Sequence, residues 1–155
     1  MQWMFENLPV DERFHLVHST HLDDSELKQL AASKANVVLC PSTEGNLGDG
    51  IFRMREYVKL GGRWCIGTDS HIGINPLEEF RMIDYRQRLV SNFRNTFEGD
   101  AANYMVTEAV ESGRKATFDR MHKRIVIERL RPRKMMIASP LASASTSEGR
   151  SLLAD

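Results

Sequence analysis

The sequence predicts an α/β chain built on a parallel sheet, and three observations carry that prediction. Three short apolar runs are bounded by Gly, Pro or polar turn residues, so they read as buried strands. Helix-patterned segments separate them, which is the alternation of a parallel sheet with right-handed crossovers. Each run ends in a polar cluster, where α/β proteins place their functional groups.

The first run is Phe14-His15-Leu16-Val17-His18, after a turn at Pro9. The second is Asn36-Val37-Val38-Leu39-Cys40, stopped by Pro41, and the third is Arg63-Trp64-Cys65-Ile66-Gly67-Thr68, entered through Gly61-Gly62. Between the first two, DDSELKQLAASKA reads as a helix. Asp23 or Asp24 caps it, Glu26 suits its first turn, and Leu27, Leu30 and Ala31 make its apolar stripe. Between the second and third, GIFRMREYVKLGG sets Phe52, Met54, Tyr57 and Val58 around a helix that ends at a glycine. After the third run, Asn75-Pro76 is a cap with a first-turn proline, and Glu78 and Glu79 face the positive end of the helix dipole. Leu77, Phe80 and Ile83, extended by Leu89, continue the buried face of that helix. A last helix is predicted from about Asp100 through Met105, Val106 and Val110 to Gly113. A full (β/α)8 barrel takes about 250 residues. Three strands in 155 residues are therefore either a small open α/β domain or a piece of a larger structure.

Composition narrows the functional classes. Acidic and basic residues balance at 21 each, so no global field favours nucleic acid or an anionic membrane. No apolar run approaches the roughly 20 residues of a membrane span. The opening MQWMFENLPVDER lacks the basic and apolar regions of a signal peptide. Cys40 and Cys65 lie in apolar runs without CxxC spacing, and they read as reduced core residues of a cytoplasmic protein, not as metal ligands. Residues 114–134 hold nine Lys or Arg, with a short β-like run at Ile125-Val126-Ile127. Without interleaved aromatics, this stretch reads as a solvated face and not as a nucleic-acid surface. From Ala138 the chain is Ser/Ala-rich, and residues 139–155 are expected to be loosely ordered.

The strand-end clusters hold the candidate chemistry. They are His18-Ser19-Thr20-His21, the stretch from Pro41 to Gly50, and Thr68-Asp69-Ser70-His71. Alternation along the first strand places Phe14, Leu16 and His18 inward, with His15 and Val17 toward the helices. On the third strand, Cys65, Gly67 and Asp69 point inward, and Gly67 removes bulk beneath the Asp69 carboxylate. Singly, a strand-end histidine or aspartate is more often structural. Jointly, at adjacent strand ends of a parallel sheet, His18 and Asp69 are as readily catalytic. His15 reads as structural, and His21 and His71 flank the site. Two residues are too few for a closed zinc site, which takes at least three protein ligands.

The blocks LVHSTHLDDSELKQLAAS, VVLCPSTEGNLGDGIF and GGRWCIGTDSHIGINPLEEFRMIDYRQRL resemble the amidohydrolase superfamily and, within it, formimidoylglutamate deiminase. The resemblance spans residues 2–89, and the late helix at 101–116 resembles that of the family. It implies a partial TIM-type (β/α) barrel, with strands six to eight, a C-terminal helix and an irregular tail. By the same resemblance, residues 1–117 are the barrel portion and residues 118–155 a divergent tail. Asp69 matches a catalytic aspartate that binds the metal and accepts a proton from the attacking water, and His18 matches the histidine that orients that water. The implied cofactor is a divalent metal, zinc, and the implied substrate is N-formimino-L-glutamate, which is deiminated to N-formyl-L-glutamate and ammonia. The family's upstream HxH pair, its metal-binding histidine and its HxxE glutamate are expected before Met1. The substrate-binding arginine is expected upstream as well. The isolated chain is accordingly expected to be inactive, and its open edges predict aggregation, self-association or pairing with an N-terminal half. The rival readings are a guanine or other aminoheterocycle deaminase, and a non-catalytic truncated α/β module.

Overall fold

The computed structural model describes residues 1–71 and 73–117. Its elements are α1 (Gln2–Asn7), β1 (His15–Val17), α2 (Asp24–Ser33), β2 (Asn36–Leu39), α3 (Pro41–Leu47), α4 (Met54–Lys59), β3 (Arg63–Ile66), α5 (Pro76–Ser91) and α6 (Ala101–Thr117). The three strands form one parallel sheet in the order β1-β2-β3. None of the described helices is long and apolar enough to cross a membrane. The expectations for the Ile125-Val126-Ile127 run and for the Ser/Ala-rich tail lie outside the described residues.

Local chemistry explains most element ends. Asp23 caps α2 by accepting the Glu26 N–H, and the Glu26 side chain returns to the Asp23 N–H, which completes a capping box. Leu27, Leu30 and Ala31 are its buried face, as the stripe predicts. Asn75 caps α5 by accepting from the Leu77 N–H, with Pro76 in the first turn. The buried face of α5 is Glu79, Phe80, Ile83, Asp84 and Gln87. Leu77 and Leu89, assigned to that face by the sequence pattern, are exposed. Leu89 follows Phe80 by nine residues, which is half a turn out of phase. Helix α6 does not stop at Gly113 but runs on to Thr117, burying Met105, Ala109 and Ser112, while Val106 is exposed. A Cβ on Gly113 would lie 3.5 Å from the Cβ of Cys65, so this glycine serves close packing on β3 and not a helix end.

Two short helices escape the sequence reading. Helix α1 precedes the Pro9 turn. Helix α3 occupies the segment read as a polar loop, with Pro41 in its first turn and Gly48 as a left-handed C-cap at φ 73°. Phe52 lies ahead of α4 and packs edge-on against Tyr57 at 5.1 Å.

Register decides which strand face meets the helices. Leu16 pairs with Val37, and Val37 with Trp64. Val37 and Trp64 are fully buried in the core that includes Leu27, Met54, Tyr57 and Ile83, and Phe14 and Leu16 pack against that core. Val17, in line with Val38 and Cys65, is on the opposite face and is half-exposed. The expected inward placement of Phe14 and Leu16 is therefore reversed. Leu16 and Val17 are both apolar, so alternation alone does not choose the face, and a one-residue shift in frame exchanges them. On β3 the expected frame holds. Cys65 shares its face with Asn36, whose amide lies 3.1 Å from the sulfur, and a Cβ on Gly67 would sit 3.4 Å from Cys40 Sγ.

Candidate active site

The site forms where β1, β2 and β3 end. The ladder continues one step past β1, with the His18 N–H donating to Val38 O at 2.9 Å. His18 and Ser19 then turn left-handed at φ 66° and 52°, and Asp69 does the same at 51°. Non-glycine residues rarely hold such backbones, and they concentrate at functional sites. Were β1 to continue regularly, His18 would share the helix-side face of Leu16. The left-handed turn instead carries its imidazole over the sheet end, with Nε2 3.3 Å from Asp69 Oδ2. The two predicted catalytic residues thus meet, by a route that alternation did not foresee.

Helix α3 adds a residue that the sequence reading did not single out. Glu44 is buried with its side chain 3 % exposed, and its Oε1 lies 3.3 Å from His18 Nδ1. The same oxygen accepts the Cys40 N–H at 2.8 Å, and Oε2 lies 3.4 Å from Arg86 Nη1 on α5. Glu79, also buried, accepts the Ser42 N–H and satisfies a free donor at the start of α3. Thr43 Oγ1 donates to Thr68 O at 2.8 Å, tying α3 to the residue before Asp69. The one available sequence signal was a glutamate four residues past a strand end, followed by glycine. A Cβ on Gly45 would lie 2.1 Å from Arg86 Nη2, so that glycine gives the guanidinium its place.

The flanking histidines stay apart from this chain of contacts. His15 and His21 are exposed, and His71 accepts the Gly73 N–H on its Nδ1 at the surface. Cys40, read from sequence as a core residue, does bring its sulfur to the site. One donor atom each from His18, Cys40 and Asp69 lie within 4.8 Å of one another. Burial, with the nearby carboxylates of Glu44, Asp69 and Glu79, pushes the Cys40 thiol up to about 12. These donors are of types that zinc binds, and the exposed Asp69 carboxylate is the one offered openly to a metal centre that other residues would complete.

The Cys40 shift has a measurable consequence. A thiol with a raised folded-state value adds stability below its ordinary value near 9.0, and that contribution is lost as pH rises toward about 12. In the native protein at pH 8, Cys40 is expected to resist a thiol-specific disulfide reagent and to react fully only in denaturant. Rapid native labelling of Cys40, located by peptide mass spectrometry, would contradict the burial argument.

The family model described as "Amidohydrolase family" matches residues 5–122. The chain is 47 % identical over 100 residues to formimidoylglutamate deiminase of Pseudomonas aeruginosa, covering 64 % of this chain and 22 % of that protein. It superimposes on the crystal structure of an amidohydrolase from Brucella melitensis with a TM-score of 0.72 and 38 % identity, over 74 % of this chain and 26 % of the other. An adenosine deaminase from Xanthomonas campestris, solved with bound zinc, gives a TM-score of 0.58 at 26 % identity, over 69 % and 24 % of the two chains. The chain thus spans about a quarter of the length of the relatives it matches. The match of the family model over residues 5–122, more than half of the chain, places the chain in the amidohydrolase family.

Proposed function

We propose that this chain supplies strands six to eight of a (β/α)8-barrel deiminase, with residues 1–117 as the barrel portion and 118–155 as a divergent tail. Together with the other strands, it hydrolyses N-formimino-L-glutamate to N-formyl-L-glutamate and ammonia. One observation carries the reading: His18 and Asp69 meet at the strand ends, 3.3 Å apart, in a chain 47 % identical over 100 residues to a formimidoylglutamate deiminase. In this reading Asp69 is one ligand of a divalent metal, zinc, and the remaining ligands come from outside these residues. Such a metal lowers the pKa of bound water toward neutrality.

The roles of the chain's own groups follow from their positions. Asp69 is open to the site, its side chain 40 % exposed, and accepts a proton from the attacking water. His18 orients that water against the formimino carbon, and the C–N bond breaks with loss of ammonia. The Asn46-Leu47-Gly48-Asp49-Gly50-Ile51-Phe52 block favours the deiminase over an aminoheterocycle deaminase. Two reduced, buried cysteines suit a cytoplasmic enzyme.

A chimera tests the proposal. The matching 100 residues of the Pseudomonas aeruginosa enzyme are replaced by those of this chain, and ammonia release from formiminoglutamate is measured beside the 155-residue chain with added zinc. The chimera is expected to turn over, and the chain alone is not. A folded, metal-loaded chimera that ignores formiminoglutamate but deaminates guanine would overturn the substrate assignment. Turnover by the isolated chain would overturn the need for further strands.

A further inference from the structure

We propose that Glu44 is a positioning residue that fixes the tautomer of His18, with the proton on Nδ1 and the Nε2 lone pair directed to the Asp69 side. The inference rests on the proposed deiminase reading for its mechanistic meaning, but its geometry stands on its own.

The imidazole of His18 lies between two carboxylates, Glu44 at Nδ1 and Asp69 at Nε2, each at 3.3 Å. A neutral imidazole has one N–H and serves only one of them. The choice follows from burial. Glu44 is 3 % exposed and Asp69 40 %. With the proton on Nε2, the Nδ1 lone pair would face the Glu44 carboxylate at 3.3 Å where no water screens the repulsion, whereas on the exposed Asp69 side water does. Glu44 is also held in place by the Cys40 N–H and by Arg86, whose guanidinium fills the space kept open by Gly45. Asp69 has no comparable tie among the described residues, apart from His18 itself. The proton therefore belongs on Nδ1. Nε2 is then an acceptor, able to take a hydrogen bond from a water lying between His18 and Asp69. The arrangement follows the general pattern in which a buried carboxylate sets the tautomer and orientation of a working histidine.

The test reads the tautomer directly. Side-chain ¹⁵N–¹H correlation spectra of the full 155-residue chain are recorded at a pH where His18 is neutral, with His18→Gln assigning the signal. Wild type is expected to show His18 protonated on Nδ1. Glu44→Ala is expected to shift the tautomer ratio toward Nε2–H by roughly tenfold or more, the scale of one hydrogen bond to a charged group. Glu44→Gln, which keeps an acceptor oxygen, is expected to restore part of the Nδ1–H preference. A wild-type signal dominated by Nε2–H overturns the proposal, even if Glu44→Ala does not fold. An unchanged ratio in folded Glu44→Ala overturns it as well. Failure of the chimera to deiminate, with the tautomer as described, would count against the function and leave the Glu44 assignment standing.

Discussion

Trp64→Ala is expected to destabilise the sheet unit by about 3–5 kcal/mol, the range for truncating a large buried aromatic. Trp64 is fully buried at the centre of the core, in register with Val37 on β2. Its indole is nearly parallel to the ring of Phe97, with centroids 6.3 Å apart, and Phe97 in turn lies 5.0 Å from the ring of Tyr104 on α6. Removing it empties the junction between β3 and α6. Typical domains are stable by about 5–15 kcal/mol, so a three-stranded unit loses a large share of its margin. The candidate site is disturbed as well, because Asp69 lies just past the end of β3. Urea melts of the 155-residue chain read the effect. A loss below about 1 kcal/mol would mean that the Trp64 pocket collapses or is already hydrated.

Gly62→Ala is the second large loss of stability, from the opposite cause: too much volume instead of too little. A Cβ at position 62 would fall 2.3 Å from Tyr57 Cζ and 2.4 Å from both of its ε carbons. The ring is fully buried, with Phe52 against its edge and its hydroxyl 3.2 Å from Arg63 O and 3.3 Å from Ala35 O. It has no free end to swing aside. Overpacking of this kind costs about 1–3 kcal/mol and at times more, and the rigidity of the ring puts this substitution at the upper limit. Double substitution with Tyr57→Leu, which removes the ring, is expected to recover part of the loss in the same melts. A Gly62→Ala chain as stable as wild type would show that the Arg63 end of β3 moves freely, contrary to its pairing with Asn36.

The three strands, their parallel order and the principal helix faces were legible in the sequence because short-range chemistry sets them. Pro41 and Gly61 punctuate the runs, Asp23 and Glu26 form a local capping box, and Leu27, Leu30 and Ala31 recur at helical spacing. Helix α3 was not legible. Seven residues rich in Ser, Thr, Asn and Gly have turn composition, and what supports the helix is distant: Glu79 at its N-terminus, 37 residues along the chain from Ser42, and Thr68 beneath Thr43.

The same division runs through the site. Sequence position and resemblance were enough to mark His18 and Asp69 as candidates, and the two do lie together at the strand ends. Their orientation, and the company they keep, belong to the tertiary structure. The face of β1 is decided by pairing Leu16 with Val37, because two consecutive apolar residues leave the alternation ambiguous. Left-handed backbones at His18 and Asp69 then bring imidazole and carboxylate together. The partnership of Glu44 with His18 joins residues 26 apart, and that of Glu44 with Arg86 joins residues 42 apart. Local patterning fixes elements within a few turns of chain. Contacts across such separations depend on how the elements dock, and only the folded sheet and its helices decide that.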